Sequence, residues 1–374
     1  MTQAVKIVLI GAGHAHLVCL KQVEKLKSAG AAITLIEPGN FFYSGMATAI
    51  LEGLLPEEAG MIDPEYLCQK MGVRFIRDSV VKIDRQKKTL TTAQGILLSY
   101  DCLSINTGSR VNPPFPIDES VIQYAIKPIS KLLDLRVRLM SHSKGKAHSN
   151  PSICIIGGGA SGCEIAAALA AWGKRQDLNS KIQIIQPGAI LPAPFTPRAR
   201  NLTARRLAQL GVALVDARGE EIKKGRLHLK DKSSLPCDIV IMATGLAPQV
   251  EIEGLESSLS PEGGIRVGST LQTLEDPSIF AAGDCASFSP QPLPKIGVYG
   301  VRQGAHLVRA FHSVFKDQDI PPFRPQRKTL LILNLGGKTG LASWGRFSEM
   351  GGWAWKWKAL LDQRFMDRMA QHTP

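Results

Sequence analysis

Two stretches of the chain repeat the same pattern of apolar and polar positions. Each begins with a short apolar run, Val5–Ile10 or Ser152–Ile156, passes through a glycine-rich turn and continues as a helix rich in alanine or leucine. A second apolar run follows each helix, at Ala32–Ile36 and Lys181–Ile185. Short apolar runs on both sides of a helix are typical of buried parallel strands joined by a crossover helix. The pattern therefore predicts two strand–helix–strand units, whose helices end near Ser28 and Trp172.

The rest of the chain adds two buried strands and a different C-terminal pattern. The strands are predicted at Ile239–Ala243 and Ser278–Ala282. After a pair of prolines, a β-hairpin is predicted from Thr329–Leu335 and Gly340–Phe347, and a helix runs from Gly352 to about residue 370. Together these elements predict an α/β fold with two parallel sheets and a small C-terminal hairpin-and-helix extension.

The two turns carry glycines at the spacing G-x-G-x-x-G. That spacing lets a dinucleotide pyrophosphate approach the backbone at a helix N-terminus, and it packs the helix closely on its strand. The first turn supplies Gly11 and Gly13, and the second turn supplies Gly157, Gly159 and Gly162. Two such turns in one chain predict two Rossmann-like dinucleotide-binding domains.

The third glycine of the first turn is replaced by His16, and His14 also lies within the turn. An imidazole at the third position would hold the helix away from the strand unless the ring points towards the cofactor. We therefore predict that one of the two histidines faces the cofactor, and the alternative is that both only pack within the protein.

The residue at the end of the second strand of each unit is placed to contact the ribose of a bound dinucleotide. Glu37 ends it in the first unit, where a carboxylate accepts hydrogen bonds from ribose hydroxyls; the alternative is a solvated carboxylate. Gln186 ends it in the second unit, and a neutral side chain does not repel a 2′-phosphate. Four arginines follow it, Arg198, Arg200, Arg205 and Arg206. NADH and NADPH therefore both stay open.

Four further stretches complete a family resemblance. SYDCLSINTGS (99–109) and CDIVIMATGLAP (237–248) are strand ends that carry a Thr-Gly pair, SIFAAGDCA (278–286) carries Gly-Asp, and GGGASGCEIA (157–166) is the second turn. The chain resembles the two-domain flavoproteins of the pyridine nucleotide–disulfide oxidoreductase superfamily.

The resemblance implies FAD in the first domain and NADH or NADPH in the second. It implies an FAD-binding domain over 1–115 and 251–320, split around an NAD(P)-binding domain over 116–250, with the extension over 321–374. The implied FAD contacts are Gly11, Gly13, Glu37, Thr107, Gly108, Gly283 and Asp284, with Asp284 holding the ribityl chain. The implied nicotinamide contacts are Gly157, Gly159, Gly162, Glu164 and Gly245.

The C-terminal half narrows the resemblance. LNLGGKTGLASWGRF (333–347) and GGWAWKWK (351–358) are similar to the tail of type II NADH dehydrogenases, which slightly favours NADH. GAGHAH (11–16), PKIGVYGVRQG (294–304) and RPQRKTLLILNLG (324–336) are similar to flavoproteins that occur fused to, or beside, selenophosphate synthetase. The resemblance thus implies a functional link to selenophosphate synthetase.

Cysteine usage separates the chemistries that the superfamily performs. Disulfide reductases carry a reactive cysteine pair in the segment that corresponds to 41–53, which here contains none. Cys163 and Cys285 are expected to be small buried residues, although sulfide-oxidising relatives use cysteines near their flavin. Without a C-x-x-C pair, no metal site is expected either.

The expected chemistry is transfer of hydride from NAD(P)H to the flavin and of electrons to an unidentified acceptor, a quinone or another small molecule. Lys295 is the candidate for a positive charge beside the flavin, with a solvated surface lysine as the alternative. In type II NADH dehydrogenases, the segment that corresponds to residues 297–303 resembles the pattern A-Q-x-x-x-Q-Q. Here Val298 and Arg302 replace two glutamines and only Gln303 is retained, so a quinone is in doubt. Lys295 and Gln303 are the candidate catalytic residues.

Two other functions stay open. The first is a sulfide- or selenium-species:quinone oxidoreductase with a vestigial second unit. The second is a redox sensor or scaffold that holds FAD and NAD(P)H with little turnover.

The net charge of +13 favours anionic partners, but no nucleic-acid-binding module is recognisable. A cytoplasmic location is expected. If 352–370 is helical, its aromatic and aliphatic residues share one face, and its basic residues lie towards the other. The apolar set is Trp353, Trp357, Leu360, Leu361, Phe365 and Met369, and the basic set is Lys356, Lys358 and Arg368, with Arg364 near the boundary. This predicts peripheral contact with the inner membrane surface, or docking on the flavin domain or a second subunit.

Overall fold

The structure is a computed structural model, and it describes residues 4–127, 129–145 and 150–370. Its strands, in chain order, are β1 (Val5–Ile10), β2 (Ala31–Ile36), β3 (Phe41–Phe42), β4 (Met61–Ile62), β5 (Arg74–Ile76), β6 (Val80–Asp84), β7 (Thr89–Thr92), β8 (Leu97–Ser99), β9 (Cys102–Ile105), β10 (Ser109–Val111), β11 (Ile122–Ala125), β12 (Ser152–Ile156), β13 (Lys181–Ile185), β14 (Ala213–Val215), β15 (Gly219–Lys223), β16 (Arg226–Leu229), β17 (Ser234–Pro236), β18 (Ile239–Met242), β19 (Leu246–Pro248), β20 (Ile265–Val267), β21 (Ile279–Ala281), β22 (Ala286–Phe288), β23 (Leu331–Asn334), β24 (Gly340–Trp344) and β25 (Phe347–Gly351).

The α-helices are α1 (His14–Leu20), α2 (Val23–Lys27), α3 (Ala47–Leu51), α4 (Pro64–Lys70), α5 (Ile129–Gly145), α6 (Ala160–Arg175), α7 (Pro197–Gln209), α8 (Gly297–Phe315) and α9 (Gly352–Ala370). Single 3₁₀ turns cover Glu57–Gly60, Glu256–Ser258 and Gly283–Cys285.

Two five-stranded parallel sheets organise the molecule, and four strands of each follow the same order, whereas the remaining edge strand is the last of its sheet in the chain in one case and the first in the other. The first has the order β21-β9-β1-β2-β5 and the second has the order β11-β18-β12-β13-β14. Each is accompanied by a three-stranded antiparallel meander, β6-β7-β8 or β15-β16-β17. The prediction of an α/β fold with two Rossmann-like units is therefore confirmed.

The inner strands are apolar because helices cover the sheets. Every residue of the inner strands β9 and β18 is buried, as expected for strands that are covered on both faces, and so is every residue of the edge strand β21. The chain enters the second sheet at β11, leaves it after β18 and returns to the first sheet at β21. The proposed boundaries near residues 115 and 250 lie in the connections after β10 and after β19, and their use as domain limits stays a prediction.

Two predicted elements differ from the observed ones. The first helix was expected to run unbroken to Ser28, but it is divided into α1 and α2. At the break, Gln22 donates its N–H to the carbonyl of Cys19, three residues back, so the helix tightens and ends. The predicted hairpin gains a third strand, because the chain turns at Gly345 and β25 pairs antiparallel with β24.

The C-terminal extension contacts both sheets' helices. Arg206 of α7 donates to the carbonyl oxygens of Leu335 and Gly336, and the N–H of Gly337 donates to Glu52 after α3. The extension is thereby held across the junction of the two units.

Candidate functional site

Both glycine turns lie at the carboxyl ends of parallel strands. The first turn joins β1 to α1, and the second joins β12 to α6. Open α/β sheets bind their ligands at this edge, beside the helix N-termini that follow the turns.

Asn106, which follows β9, holds the first turn in place. Its Oδ1 accepts hydrogen bonds from the N–H groups of Ala15 (3.0 Å) and His16 (3.4 Å), and its Nδ2 donates to the carbonyl of Ala282 (2.6 Å). A Cβ on Gly13 would overlap Oδ1 of Asn106, so this position requires glycine. Asn106 was not predicted from the sequence, where its only signal is its position immediately before a Thr-Gly pair.

His16 is fully buried between the turn and β9. Its Nδ1 lies 2.6 Å from the carbonyl oxygen of Gly11, and its Nε2 lies 2.8 Å from Oγ of Ser104. Burial lowers its pKa to about 4, so the ring is neutral near pH 7. A carbonyl only accepts, so Nδ1 carries the proton and Nε2 accepts from the serine hydroxyl. The expectation that this ring must point to the cofactor or displace the helix is wrong, because both nitrogens bond within the protein.

His14 lies at the N-terminus of α1 among aromatic rings. Its ring centroid is 5.0 Å from that of Phe41 and 5.7 Å from those of Tyr43 and Phe365. Burial, and secondly the charge of Lys127, lower its pKa to about 4. His14 is therefore a neutral ring on the ligand edge of the first sheet.

Glu37 and Gln186 perform the same task in the two units. Oε2 of Glu37 accepts from the N–H of Ala12 (2.7 Å), and its Oε1 accepts from Gly39 (3.2 Å). Oε1 of Gln186 accepts from the N–H of Gly158 (2.8 Å). Burial raises the pKa of Glu37 even though both backbone bonds favour its ionised form. Each side chain thus fixes the glycine turn from the neighbouring strand.

Asp284 is the centre of a polar cluster at the junction of the two sheets. Its Oδ2 lies 2.7 Å from both Nζ of Lys127 and the hydroxyl of Ser109, and these two groups are themselves 2.8 Å apart. Burial opposes ionisation, but Lys127 and the hydrogen bonds outweigh it and hold the pKa of Asp284 below its ordinary value. The carboxylate is therefore ionised, and its partners Lys127 and Ser109 carry no sequence motif that would have predicted them.

The two predicted catalytic residues occupy different positions around this carboxylate. Nζ of Lys295 donates to the backbone carbonyl of Asp284 (2.5 Å), and burial lowers the pKa of Lys295. Gln303 of α8 is buried, and its Oε1 accepts from the N–H of Gly283 (2.7 Å). This contact corrects the expectation that Gln303 borders an acceptor, because the side chain instead binds the backbone of the Gly283–Asp284 turn.

The two Thr-Gly pairs mark where the chain crosses between the units. Thr107 and Gly108 follow β9, and Gly245 follows β18 after Thr244. The short strands that come next, β10 and β19, pair antiparallel with each other. The hydroxyl of Thr107 also donates to the carbonyl of Gln249 (2.5 Å). The crossing strands therefore bring both pairs to one junction.

The second turn is closed on its inner side and open on its outer side. A Cβ on Gly162 would overlap the carbonyl oxygen of Gly157, so the helix meets the turn with no room for a side chain. A Cβ on Gly159, which caps α6, would meet no protein atom within 4 Å. The turn thus presents bare backbone at a helix N-terminus.

Glu164 faces the C-terminal extension. Its Oε1 accepts from the N–H of Asn334 (2.7 Å), and burial raises its pKa although Lys358 opposes the shift. Nζ of Lys358 lies 2.6 Å from both the carbonyl of Gly45 and Oδ2 of Asp362. The expectation that Lys358 lies towards the polar, outer face of α9 is wrong: its side chain is 12% exposed and points to the protein.

The inner face of α9 contacts the segment 41–53. The hydroxyl of Tyr43 donates to Oδ1 of Asp362 (2.9 Å), and the Tyr43 ring stacks on Phe365 with centroids 4.5 Å apart. Phe365 and Met369 therefore pack inward, and the predicted apolar stripe is divided between two faces of the helix. Its other members form the C-terminal apolar patch, which is 40–48% exposed: Trp353, Trp357, Leu360 and Leu361.

Most of the arginines that follow Gln186 are used structurally. Arg198 and Arg206 bind the extension, and Arg200 donates to the carbonyl of Leu191 (2.9 Å). Asp216, at the end of β14, accepts from the N–H of Gly188 (2.6 Å) next to the end of β13. Asp216 thus places a carboxylate beside the turn that follows β13.

Neither cysteine singled out above is poised for thiol chemistry. Cys163 and Cys285 are both buried, and burial raises the pKa of Cys163 to about 12 and also raises that of Cys285. A raised pKa keeps a thiol protonated and unreactive.

Within the described residues, no helix has the length and apolarity needed to cross a membrane.

These sites fit two dinucleotides. Open backbone at Gly159, the carboxylate of Glu37 beside the first turn and the ionised Asp284 at the junction are the groups that suit pyrophosphate, ribose and polyol hydroxyls. Fold and site together define a flavoprotein with two dinucleotide-binding domains. Residues 5–304 match the family described as "Pyridine nucleotide-disulphide oxidoreductase", and the chain belongs to this family.

Relatives agree with that class. The chain is 27% identical over 291 residues to the "Assimilatory nitrate reductase electron transfer subunit" of Bacillus subtilis, which covers 75% of this chain but 36% of the relative. It is 27% identical over 300 residues to the "Probable ferredoxin reductase CtmF" of Castellaniella defragrans, covering 77% and 69%. The chain is also 27% identical over 307 residues to the "Rubredoxin-NAD(+) reductase" of Alcanivorax borkumensis, covering 78% and 74%. The family match and this relative support FAD and NAD(P)H as cofactors and an NAD(P)H-dependent oxidoreductase as the enzyme class.

The fold also matches a solved structure along nearly the whole chain. NDH2 from Plasmodium falciparum, solved in complex with NADH, superposes with a TM-score of 0.84 at 16% identity, covering 99% of this chain and 98% of that chain. This similarity shows the fold and includes the C-terminal extension.

Proposed function

We propose that this protein is an FAD-dependent oxidoreductase that takes reducing equivalents from NADH or NADPH and passes electrons to a separate acceptor. The observation that carries the proposal is the junction at Asp284: each sheet carries a glycine turn, and Lys127 from the end of β11 in the second sheet binds the ionised Asp284 that follows β21 in the first. FAD, when bound, supplies a group that accepts a hydride and releases electrons to a second partner.

The residues have separate roles in this proposal. The FAD contacts are Gly11, Gly13, His14, Glu37, Thr107, Gly108, Gly283 and Asp284, and the nicotinamide contacts are Gly157, Gly159, Gly162 and Gly245. Asp284 accepts hydrogen bonds from the ribityl hydroxyls, and Lys295 supplies positive charge beside it. His16, Asn106 and Gln303 position the turns without touching a ligand. Glu164 acts at the contact of α6 with the extension.

NADH is the proposed donor. The Asp216 carboxylate binds the N–H of Gly188, two residues after Gln186, and a negative charge so near the end of β13 would repel a 2′-phosphate on a ribose bound there. Arg198, Arg200 and Arg206 bind protein carbonyls instead of lying ready for a phosphate. The choice of NADH rests on these two observations.

For the acceptor we propose an electron-carrier protein with an acidic surface. One relative is named a ferredoxin reductase, and the net charge of +13 would steer an acidic carrier to this chain. A quinone is the second candidate, favoured by the C-terminal apolar patch but not by Gln303, which is buried beneath the Gly283 turn.

An anaerobic titration of the FAD-loaded protein tests the proposal. Stoichiometric bleaching of the visible flavin band by NADH, with NADPH far less effective, is the expected result. Mixing the reduced protein with a ferredoxin or with a short-chain quinone then identifies the acceptor class by which one restores the band. A band that neither nucleotide bleaches, but sulfide or selenide does, would replace the proposal with the sulfide- or selenium-species oxidoreductase.

We further propose that the C-terminal apolar patch binds an anionic membrane surface. Trp353, Trp357, Leu360 and Leu361 recur at helical spacing, and the two indole rings stack with centroids 6.2 Å apart. Exposed Lys356 lies on the same helix. Tryptophan and leucine beside lysine on an exposed helix face suit the bilayer interface.

The Trp353→Ser/Trp357→Ser double variant tests this patch. Each large apolar side chain contributes about 1.5–3 kcal/mol when buried, so we expect at least about tenfold weaker co-flotation with vesicles of phosphatidylcholine and phosphatidylglycerol. Leu97→Ser is the matched control, because Leu97 is 68% exposed but lies on β8 in the first meander. Equal flotation of the double variant and the wild type would exclude the patch as the membrane contact.

Two earlier hypotheses stay predictions. The functional link to selenophosphate synthetase requires a test of co-purification or coupled activity with that enzyme. The redox-sensor alternative predicts slow turnover with every acceptor, together with a change of oligomeric state when nucleotide binds.

A further inference from the structure

We propose that Lys127 is a positioning residue of the flavin site, supplied by the nicotinamide unit to hold Asp284 and to tune the cofactor that Asp284 binds. The inference rests on the proposed assignment of Asp284 to FAD. It adds a residue from the other half of the molecule, which none of the turn motifs contains.

The contacts of Lys127 cross between the two units. Lys127 follows β11, the edge strand of the second sheet, whereas Asp284 follows β21, the edge strand of the first. Nζ of Lys127 lies 2.7 Å from Oδ2 of Asp284 and 2.8 Å from Oγ of Ser109. The hydroxyl of Ser109 donates to the same Oδ2. Each of the three groups is therefore hydrogen-bonded to the other two, and removing one of them takes away a partner from both others.

The burial of this pair separates it from the surface ion pairs. The side chains of Lys127 and Asp284 are 26% and 15% exposed. Lys82 and Glu253 form a pair of similar length, 2.6 Å, but are 52% and 63% exposed. Water screens the exposed pair, whereas the partly buried pair keeps much of its attraction. Of these two pairs, the Lys127 pair is therefore the one that can influence a ligand strongly.

The ammonium groups of Lys127 and Lys295 approach Asp284 from different elements. Lys127 binds the side-chain carboxylate and Lys295 binds the backbone carbonyl (2.5 Å). Lys127 also acts on His14 at the first turn, where its charge helps to keep that ring neutral. Positive charge at this junction favours a ligand state that gains negative charge, which is what reduction does to a flavin. The nicotinamide unit thus contributes directly to the energetics of the flavin site.

The test compares Lys127→Met, Lys127→Arg and the control Lys82→Met in the full chain. FAD affinity is measured by flavin fluorescence on adding FAD to the apoprotein, and the midpoint potential is measured against a reference dye. We expect Lys127→Met to bind FAD about tenfold more weakly, since a hydrogen bond to a charged group is lost. We expect its FAD to become harder to reduce, with a tenfold shift of the redox equilibrium equal to about 30 mV for a two-electron couple. Lys127→Arg should restore most of both, and Lys82→Met should match the wild type.

The outcomes distinguish a failure of the role of Lys127 from a failure of the proposed flavin site. Wild-type affinity and potential in Lys127→Met, with Asp284→Asn still losing FAD, would overturn the role of Lys127 and leave the flavin site intact. Loss of FAD without any rescue by arginine, together with a lower melting temperature, would also overturn it, because a general loss of structure would then explain the defect. Full FAD binding by Asp284→Asn would instead overturn the proposed flavin site itself.

Discussion

Asp284→Asn should bind FAD about 100-fold more weakly than the wild type. Asparagine keeps the shape of the side chain but cannot carry the charge that Lys127 and Ser109 stabilise at Oδ2. It also leaves the partly buried ammonium of Lys127 without a counter-ion, which adds to the cost. Two charge-assisted hydrogen bonds at about 1.5 kcal/mol each give roughly this factor. Flavin fluorescence during titration of the apoprotein measures it.

Asp231→Asn is the matched control for this substitution. Asp231 is an exposed turn aspartate in the second meander that accepts from the N–H of Ser233, so it shares the residue type but not the site. Its variant should bind FAD as the wild type does. If both asparagine variants bound FAD equally well, Asp284 would not be the ribityl carboxylate and the flavin site would lie elsewhere.

Gly159→Ala should keep the fold and the FAD but lose reduction by NADH about 100-fold. A Cβ at this position meets no protein atom within 4 Å, so the protein itself accommodates the methyl group. The cost of alanine at the N-cap is about 1 kcal/mol or less. The methyl group would, however, stand where a pyrophosphate must approach the bare backbone at the N-terminus of α6. Anaerobic rapid mixing with NADH measures the rate of flavin bleaching.

Gly162→Ala gives the contrasting result. Its Cβ would overlap the carbonyl oxygen of Gly157, so the strand and helix must separate and the melting temperature should fall. A stable Gly159→Ala variant that NADH reduces at the wild-type rate would show that the second turn does not bind the nucleotide. The vestigial second unit of a sulfide- or selenium-species enzyme would then become the better explanation.

The strands around the two turns could be predicted from local sequence. β1, β12 and β13 begin and end where the apolar runs do, because a strand that is buried on both faces needs apolar residues throughout. The glycine turns could also be predicted, because a side chain at Gly13 or Gly162 would overlap neighbouring atoms and only glycine fits there. In contrast, α5 carries no motif and was not predicted from the sequence.

The side-chain directions around the site could not be predicted in the same way. His16 looked like a defect in the motif, but Ser104, 88 residues later, gives its ring a partner. Gln303 matched a motif position, yet a backbone N–H 20 residues earlier turns it inward. The polar stripe assigned to α9 failed for Lys358 because Gly45 and Asp362 offer it oxygen atoms on the inner face.

The sequence by itself determined the fold class, the positions of both turns and the pair of dinucleotides, because these depend on short-range patterns of apolar residues and glycines. Only the tertiary structure decided which polar groups meet at the junction. Lys127, Ser109 and Asp284 come from three separate segments, and hydrogen bonding acts over about 3 Å irrespective of distance along the chain. No local pattern encodes such a meeting, since it exists only after both sheets have formed and the crossing strands have brought their ends together.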